Sequence, residues 1–383
     1  MILSERQLAL RATARDFAQR EIASHALAWE KQGSGVPETT LEGIAKLGFF
    51  GMLVPKEYGG AGLDFVSYAL VTEEFAAADC GICNLINVSN SPVTTAIKDY
   101  GTRQQIEKFL IPLATGKKRG CFLLTEANAG SDAAAISSRV KTTDSRRILR
   151  GSKQFVTAGK SAHIAMVIAR HGLKSKGSEL SAYLIPTDTP GFHVERLEDK
   201  LGHRNCDTAE ILFNDIEITS ENLLGTEGEG YKIALSYLNG GRIGVAAQSV
   251  GVARAALEAA LDYADHRETF GKKLNEHQAI SFKLSEMATR VSAARALTLH
   301  AASLEDAGEK AIAEASMAKA FSSDVAEWVS SEALQIHGGY GFLKNTSVEK
   351  YYRDARVLRI YEGTNEIQNM VIARQLKSGW KPH

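Results

Sequence analysis

The sequence predicts a mostly helical α+β chain in three parts. These are an N-terminal helical domain over residues 1–115, a middle antiparallel, barrel-like β-domain over 116–227, and a C-terminal four-helix bundle over 228–383. Three observations carry this. Apolar residues recur at helical spacing up to about residue 110, short β-branched runs between turn residues take over near Thr115-Gly-Lys-Lys-Arg, and long Ala-rich stretches resume after Gly228. At 383 residues the chain is long enough for two or three domains around a large core.

In the first part, Leu10, Ala14, Phe17 and Ala18 mark one helix face, and residues 39–47 and 65–78 read as two further helices. Pro55-Lys-Glu-Tyr-Gly-Gly-Ala-Gly between them is a loop. In the middle, residues 120–125, 148–157, 163–170, 182–187, 192–197 and 209–219 read as strands with no helices between them, which points to antiparallel pairing. In the last part Ile243, Val250, Leu257 and Leu261 form one apolar stripe. Ile280, Leu284, Met287 and Val291 form a second, and Met317, Phe321, Val325 and Trp328 a third. Short breaks between these stretches make the helices antiparallel neighbours. The charged blocks near 272–273 and 350–354 read as solvated surface.

Hydrophobic residues make up 44% and charged residues 23%, as in ordinary globular proteins. Lys+Arg and Asp+Glu stand at 45 each, so no global field draws the chain to nucleic acid or an anionic membrane. The start, Met1-Ile-Leu-Ser-Glu-Arg, lacks the pattern of a secretory signal, and no apolar run is long enough for a membrane span. Cys80 and Cys83 form a lone C-x-x-C, with Cys121 and Cys206 apart from it and no His at zinc spacing, so no metal site is expected. A soluble protein of the reducing cytoplasm fits these features.

Several stretches could carry chemistry. Ile360-Tyr361-Glu362-Gly363-Thr364-Asn365-Glu366-Ile367-Gln368 sets a carboxylate between an aromatic ring and a glycine. A carboxylate in an apolar wall has its pKa raised into the range of a useful base, and the glycine admits a ligand close to the backbone. A solvated helix end has the same sequence. Phe122-Leu-Leu-Thr125-Glu126-Ala-Asn128-Ala-Gly130-Ser131-Asp132 leads from a strand into small residues whose N–H groups could face an anion, or into an ordinary capped turn. Phe155-Val156-Thr157 places a ring and a hydroxyl where a planar heterocycle could stack, or a ring in the core. Asn239-Gly240-Gly241-Arg242 opens a helix with room for a slender ligand beside an Arg that could meet a carboxylate or phosphate, or is a Gly-rich helix start with a solvated Arg. Arg267-Glu-Thr269-Phe270-Gly271 ends that helix, His277-Gln278 opens the next, and Gln335-Ile336-His337-Gly338-Gly339 closes a later one as a Gly-terminated helix does. Gly225-Thr-Glu-Gly228-Glu-Gly230 has the wrong spacing for a Rossmann fingerprint, and there is no P-loop, H-E-x-x-H or G-x-S-x-G. A dinucleotide would therefore bind here without a Rossmann fold.

Together these stretches closely resemble the acyl-CoA dehydrogenase family, short-chain and branched-chain members above all, over nearly the whole chain. The most specific pieces are Thr125-Glu-Ala-Asn-Ala-Gly-Ser-Asp132, Glu198-Asp-Lys-Leu-Gly202, Gly240-Gly-Arg-Ile-Gly244 and Thr269-Phe-Gly271. To these add His277-Gln278, Gln335-Ile-His-Gly-Gly339, Tyr352-Arg-Asp354 and Ile360-Tyr-Glu-Gly-Thr364. The resemblance implies a homotetramer with non-covalent FAD that uses an electron-transferring flavoprotein as electron acceptor. It implies that Phe122, Leu124, Thr125, Gly130 and Ser131 line the flavin, with Ser131 also near coenzyme A. Phe155, Val156 and Thr157 would cover the isoalloxazine, and Thr364, Asn365 and Glu366 would sit against the cofactor. Arg267, Phe270, Gln278, Gln335, Ile336, Gly338 and Gly339 would complete FAD binding, partly across a subunit interface. Asn239, Gly241, Arg242, Tyr361 and Gly363 would contact the acyl-CoA, with residues 85–91 shaping its pocket.

By the same resemblance Glu362 would take the α-proton while a β-hydride passes to flavin N5, giving a trans-2-enoyl-CoA. Its backbone N–H would join the ribityl hydroxyl in holding the thioester oxygen. Some relatives carry their base just before the Arg of the later helix, where this chain has Gly241, so the base is expected at one of the two sites only. Many relatives have Trp at the position of Phe155 and Asp at that of Asn239. Rival expectations are an oxidase, lyase or monooxygenase on the same fold, or a non-catalytic scaffold that binds flavin or acyl-CoA.

Overall fold

The computed structural model describes residues 2–143, 146–171 and 179–381; Met1, part of the start read above, lies outside them. The N-terminal part is helical. Helix α1 (Glu5–Ala18) begins at Ser4, whose hydroxyl accepts from the Gln7 N–H while the Gln7 side chain returns the bond. Helices α2 (Glu38–Lys46) and α3 (Phe65–Ala78) follow, and Asp64 caps α3 by accepting from the Ser67 N–H at 2.6 Å. From Val66 onward α3 is buried all round, which marks it as a central helix. It carries Glu73 and Glu74 into the interior because Arg254 meets both, at 2.9 and 2.6 Å, and Arg295 meets Glu73 at 3.0 Å. Helix α4 (Cys80–Val88) starts at Asp79, which accepts from the Ile82 N–H at 2.8 Å.

Eight strands make one sheet: β1 (Gly120–Leu123), β2 (Arg139–Thr143), β3 (Arg146–Thr157), β4 (Ile164–His171), β5 (Leu180–Pro186), β6 (Phe192–Leu197), β7 (Thr208–Glu217) and β8 (Leu223–Leu224). The path runs β6-β7-β3-β2-β4-β5-β8, with β1 on β4. Most pairs are antiparallel as expected, but β1 and β2 both run parallel to β4. Strand β1 takes residues 164–167 of β4 and β2 takes residues 170–171, while β5 pairs with β4 along its whole length. The sheet thus forks, and the loop from Leu124 to Ser138 fills the fork. Strand β2 escapes the periodicity argument because it exposes Arg139 and Lys141 and buries only Val140 between them.

The C-terminal part is helical again: α5 (Leu238–His266), α6 (Gln278–Asp306), α7 (Ile312–His337), α8 (Ser347–Ala355) and α9 (Asn365–Lys377). Helix α5 packs against α3, α6 and α7, so it ties the two helical parts together. Val66, Ala69 and Leu70 of α3 meet Ile243, Ala246 and Ala247 of α5 in that joint. None of the helices in the described residues is long and apolar enough to cross a membrane.

Two expectations need correction. Leu261 and Phe321, read as core, are 46% and 40% exposed, so those two positions of their stripes face outward from the chain's own core. The block at 350–354 is not solvated. Lys350 is buried between Asp79, at 3.0 Å, and Asp354, and Arg353 reaches Glu30 and Glu349 at 2.6 Å each. Burial disfavours the Lys350 ammonium, but Asp354 and Asp79 outweigh it and raise its pKa.

Candidate active site around Glu362

Glu362 sits in the turn that joins α8 to α9, with φ +53°, followed by Gly363 at +85°. A left-handed glutamate stores backbone strain, and such strain collects at functional sites. The turn aims the carboxylate at α5. A Cβ placed on Gly241 would stand 2.8 Å from Glu362 Oε2, so a side chain there would displace the carboxylate. Gly240 is crowded as well, by Ser91 Oγ at 3.1 Å and the Phe65 ring at 3.2 Å. Among the described residues the Glu362 N–H donates to no protein acceptor, whereas its carbonyl and that of Gly363 accept from Gln368 at 3.1 and 2.9 Å.

Glu362 is half-buried by solvent access yet surrounded by protein atoms, as a group on the wall of a cleft would be. Burial raises its pKa, against the opposing pull of Arg242 and then Lys319. Arg242 is buried, which pulls its own pKa down; it donates to Asn239 Oδ1 at 3.1 Å, and its Nε finds no partner. Asn239, expected at the ligand, thus spends its side-chain oxygen on Arg242.

Three other expected residues point elsewhere. The Tyr361 hydroxyl donates to Gln248 at 2.7 Å, and its ring meets His203 edge-on, so it serves the wall of the site from behind. Asn365 turns inward to Lys319, Ser323 and Asp324 at 2.8–3.1 Å rather than outward. Val156 is buried in the core and can meet a ligand only through its backbone. At the start of α9, Thr364 caps Ile367 and Glu366 is exposed.

The loop in the fork is held from within. Glu126 accepts from Ser137 N and Oγ at 2.5 and 2.7 Å, from Ser138 N at 3.0 Å and from Lys153 at 2.8 Å. Lys153, wholly buried, also donates to Leu124 O at 2.9 Å. Burial works against the Glu126 charge, but Lys153 and Ser137 overcome it and bring its pKa to about 2; for Lys153 burial wins over Glu126, and its pKa falls to about 8. Sequence reading missed this pair, since nothing in the spacing of Glu126 and Lys153 announces a contact across 27 positions. It leaves Gly130 and Ser131 exposed at the loop tip and Phe122, Leu124 and Thr125 half-buried along it. The β3–β7 ladder slips between Lys153 and Val156, and this irregularity throws Phe155 out at φ +57° and 64% exposure. The Thr157 hydroxyl accepts from Asn84 at 3.2 Å.

The remaining expected residues lie at the other end of α5. Arg267, Ile336, Gly338 and Gly339 line a cleft of about 470 Å³ with Tyr263, Thr269 and Leu274. Phe270 tops the adjoining hairpin at 99% exposure, and Gln278 and Gln335 are exposed beside it. Along α5, Gly241 and Arg267 are separated by about 39 Å. A larger groove, about 540 Å³, on the outer face of β2, β3 and β7 is lined by Arg139, Lys141, Arg146 and Arg150 and holds none of the expected residues.

Comparison with known proteins agrees along the chain. Family models match as acyl-CoA dehydrogenase N-terminal domain over 4–117, middle domain over 121–216 and C-terminal domain over 228–377. An acyl-CoA dehydrogenase of Bacillus subtilis is 42% identical over 99% of this chain and 100% of its own. A subunit of the caffeyl-CoA reductase–Etf complex of Acetobacterium woodii is 39% identical over 98% and 99%. The structure of butyryl-CoA dehydrogenase from Megasphaera elsdenii superposes with a TM-score of 0.95 at 39% identity, covering 98% of this chain and 99% of that one.

Proposed function

Because the chain belongs to the acyl-CoA dehydrogenase family of FAD-dependent oxidoreductases, we propose that Glu362 removes the α-proton of a short-chain acyl-CoA. One observation carries this. A single residue offers a carboxylate of raised pKa and a free backbone N–H, opposite a glycine that leaves room for a slender chain. The carboxylate is strong enough as a base to take a proton, and the N–H is available to stabilise the enolate oxygen that forms.

The residues present fit FAD. Phe155, held outward by its left-handed backbone, offers an apolar face, and Thr157 a hydroxyl beside it. The exposed Gly338–Gly339 backbone and Arg267 suit a diphosphate. When bound, the flavin supplies the acceptor for the β-hydride. Gly241, opposite Glu362, and Arg267 stand about 39 Å apart along α5, so in the proposed arrangement a second copy of the chain brings its Arg267 cleft to the first copy's Phe155. The exposed Phe270 supports that assembly, because an aromatic ring so fully in water is normally covered by a partner. A homotetramer built from such pairs is the proposed state, and an electron-transferring flavoprotein, the kind of partner named in the Acetobacterium relative's complex, is the proposed acceptor.

The face of α5 also argues for a short acyl group. Beyond Gly241 that face carries Gly244, where a Cβ would stand 2.5 Å from Tyr68 Oη, and then Gln248, fully buried and bonded to Tyr361. Tyr68 therefore closes that face within about 5 Å along the helix from Gly241, with Gln248 behind it. Anaerobic titration with acyl-CoAs from butyryl and isobutyryl to octanoyl, read at the flavin band, is expected to bleach with the short members. Bleaching only with octanoyl would overturn the chain-length reading, and no bleaching at all the dehydrogenase reading. Competition between oxygen and an electron-transferring flavoprotein separates dehydrogenase from oxidase. Gln248→Ala is expected to raise kcat/KM for hexanoyl relative to butyryl by roughly tenfold. Gly241→Ala, which pushes a methyl against the Glu362 carboxylate, should lower kcat roughly a hundredfold, seen as slow flavin reduction in a protein that keeps its flavin.

A further inference from the structure

Lys319 lies in the first third of α7, fully buried, and no carboxylate stands within ion-pair distance of it among the described residues. Its ammonium instead donates to Gly363 O at 2.8 Å and Asn365 Oδ1 at 2.9 Å. Burying an ammonium on neutral acceptors is unfavourable, so its position calls for a reason beyond packing. The turn it grips is the one that carries Glu362.

We propose that Lys319 is a positioning residue for the catalytic base: it fixes the left-handed Glu362–Gly363 turn through the Gly363 carbonyl and sets a buried positive charge behind the Glu362 carboxylate. This rests on the reading of Glu362 as the base. Asn365 belongs to the same bracket, since Ser323 and Asp324 hold its amide at 3.0 and 2.8 Å while it accepts from Lys319. Gln368 completes it by donating to both turn carbonyls. With those carbonyls engaged, the N–H groups of Glu362 and Gly363, neither of which donates to a protein acceptor among the described residues, are left for a ligand.

The charge has a role apart from the grip. Burial holds the Lys319 pKa down to about 8, so it is still a cation at neutral pH, and Glu362 is the foremost of the groups that favour that charge, followed by Asp324 and Glu366. The groups facing Glu362 in turn are Arg242 from α5, Lys319 from α7 and the neutral phenol of Tyr68 from α3. The two cations restrain a base that burial drives upward. Removing one lets its pKa climb.

The test compares holoenzymes of Lys319→Met, Gln368→Leu and Glu362→Gln by stopped-flow flavin reduction with butyryl-CoA across pH. In Lys319→Met the reduction rate at neutral pH is expected to fall roughly a hundredfold. The acid limb should move up by about one pH unit, with acyl-CoA affinity from spectral titration within about threefold. Gln368→Leu, which loosens the turn without removing charge, should slow reduction and leave the limb in place. An unchanged rate and limb in Lys319→Met overturns the proposal. So does a loss of rate with an unmoved limb that Gln368→Leu reproduces, because the lysine then acts as structure alone. If Glu362→Gln retains turnover, Glu362 is not the base, and that reading fails whatever Lys319 does.

Discussion

Glu362→Gln is expected to lower turnover by about three to four orders of magnitude while FAD content and acyl-CoA binding hold. The amide matches the carboxylate in shape, so it keeps the fit against Gly241 and the left-handed backbone, and loses only the capacity to accept a proton. The wild-type pH profile is part of the same prediction. The active form is the carboxylate, and burial raises its pKa above the ordinary 4.5, so flavin reduction should climb with pH through a limb above that value and then level off. Single-turnover reduction measures the loss, and a spectral shift on adding acyl-CoA reports binding. A variant that turns over like the wild type would remove Glu362 from the mechanism. A limb at or below the ordinary carboxylate range would mean that burial does not outweigh Arg242 and Lys319 at Glu362.

How much of this was legible in the sequence depends on how local each feature is. Glu362 and Gly241 could be paired in advance because the two base positions exclude each other, and their contact explains why: a side chain at 241 would occupy the space of the Glu362 carboxylate. Phe155 was readable as a core residue or a stacking platform, and only the slip in the β3–β7 ladder decides for the exposed ring. Asn365 and Tyr361 lie within the motif and yet face away from the cleft, since neighbours along a turn alternate in direction. The helices and most strands followed from periodicity. Strand β2 did not, and neither did the parallel fork it makes with β1, because pairing partners are a long-range choice. Hidden altogether were the buried charges. Lys153, Lys319 and Lys350 look like surface residues in a sequence, and each is interior because a carboxylate or carbonyl distant along the chain arrives to meet it.

That class of residue supplies the second large effect, at the Glu126–Lys153 pair. Glu126→Gln is expected to destabilise the holoenzyme by about 3–5 kcal/mol, because it strands a buried ammonium and sets an amide N–H₂ against the donors of Ser137 and Ser138. Lys153→Met should cost less, since Glu126 keeps its three Ser137 and Ser138 donors when it and Leu124 O lose the Lys153 ammonium. The asymmetry has a pH signature. The Glu126 pKa falls from 4.5 to about 2 on folding, so its contribution is complete above 4.5 and is lost as pH drops toward 2. The Lys153 pKa falls from 10.5 to about 8, so its charged form opposes folding below 8, and that opposition is relieved as pH rises from 8 to 10.5. Urea unfolding of wild type and Lys153→Met should therefore diverge between pH 8 and 10.5, the wild type gaining more stability there than the variant, which keeps the Lys319 contribution alone of the two. Because the pair holds the loop that carries Ser131 at its tip, flavin release on acidification should track the Glu126 window in the wild type, whereas Glu126→Gln, with nothing to titrate there, should hold flavin more weakly across that whole range. Equal losses in the two variants, or parallel unfolding profiles above pH 8, would mean that Lys153 is held by packing and not by its charge.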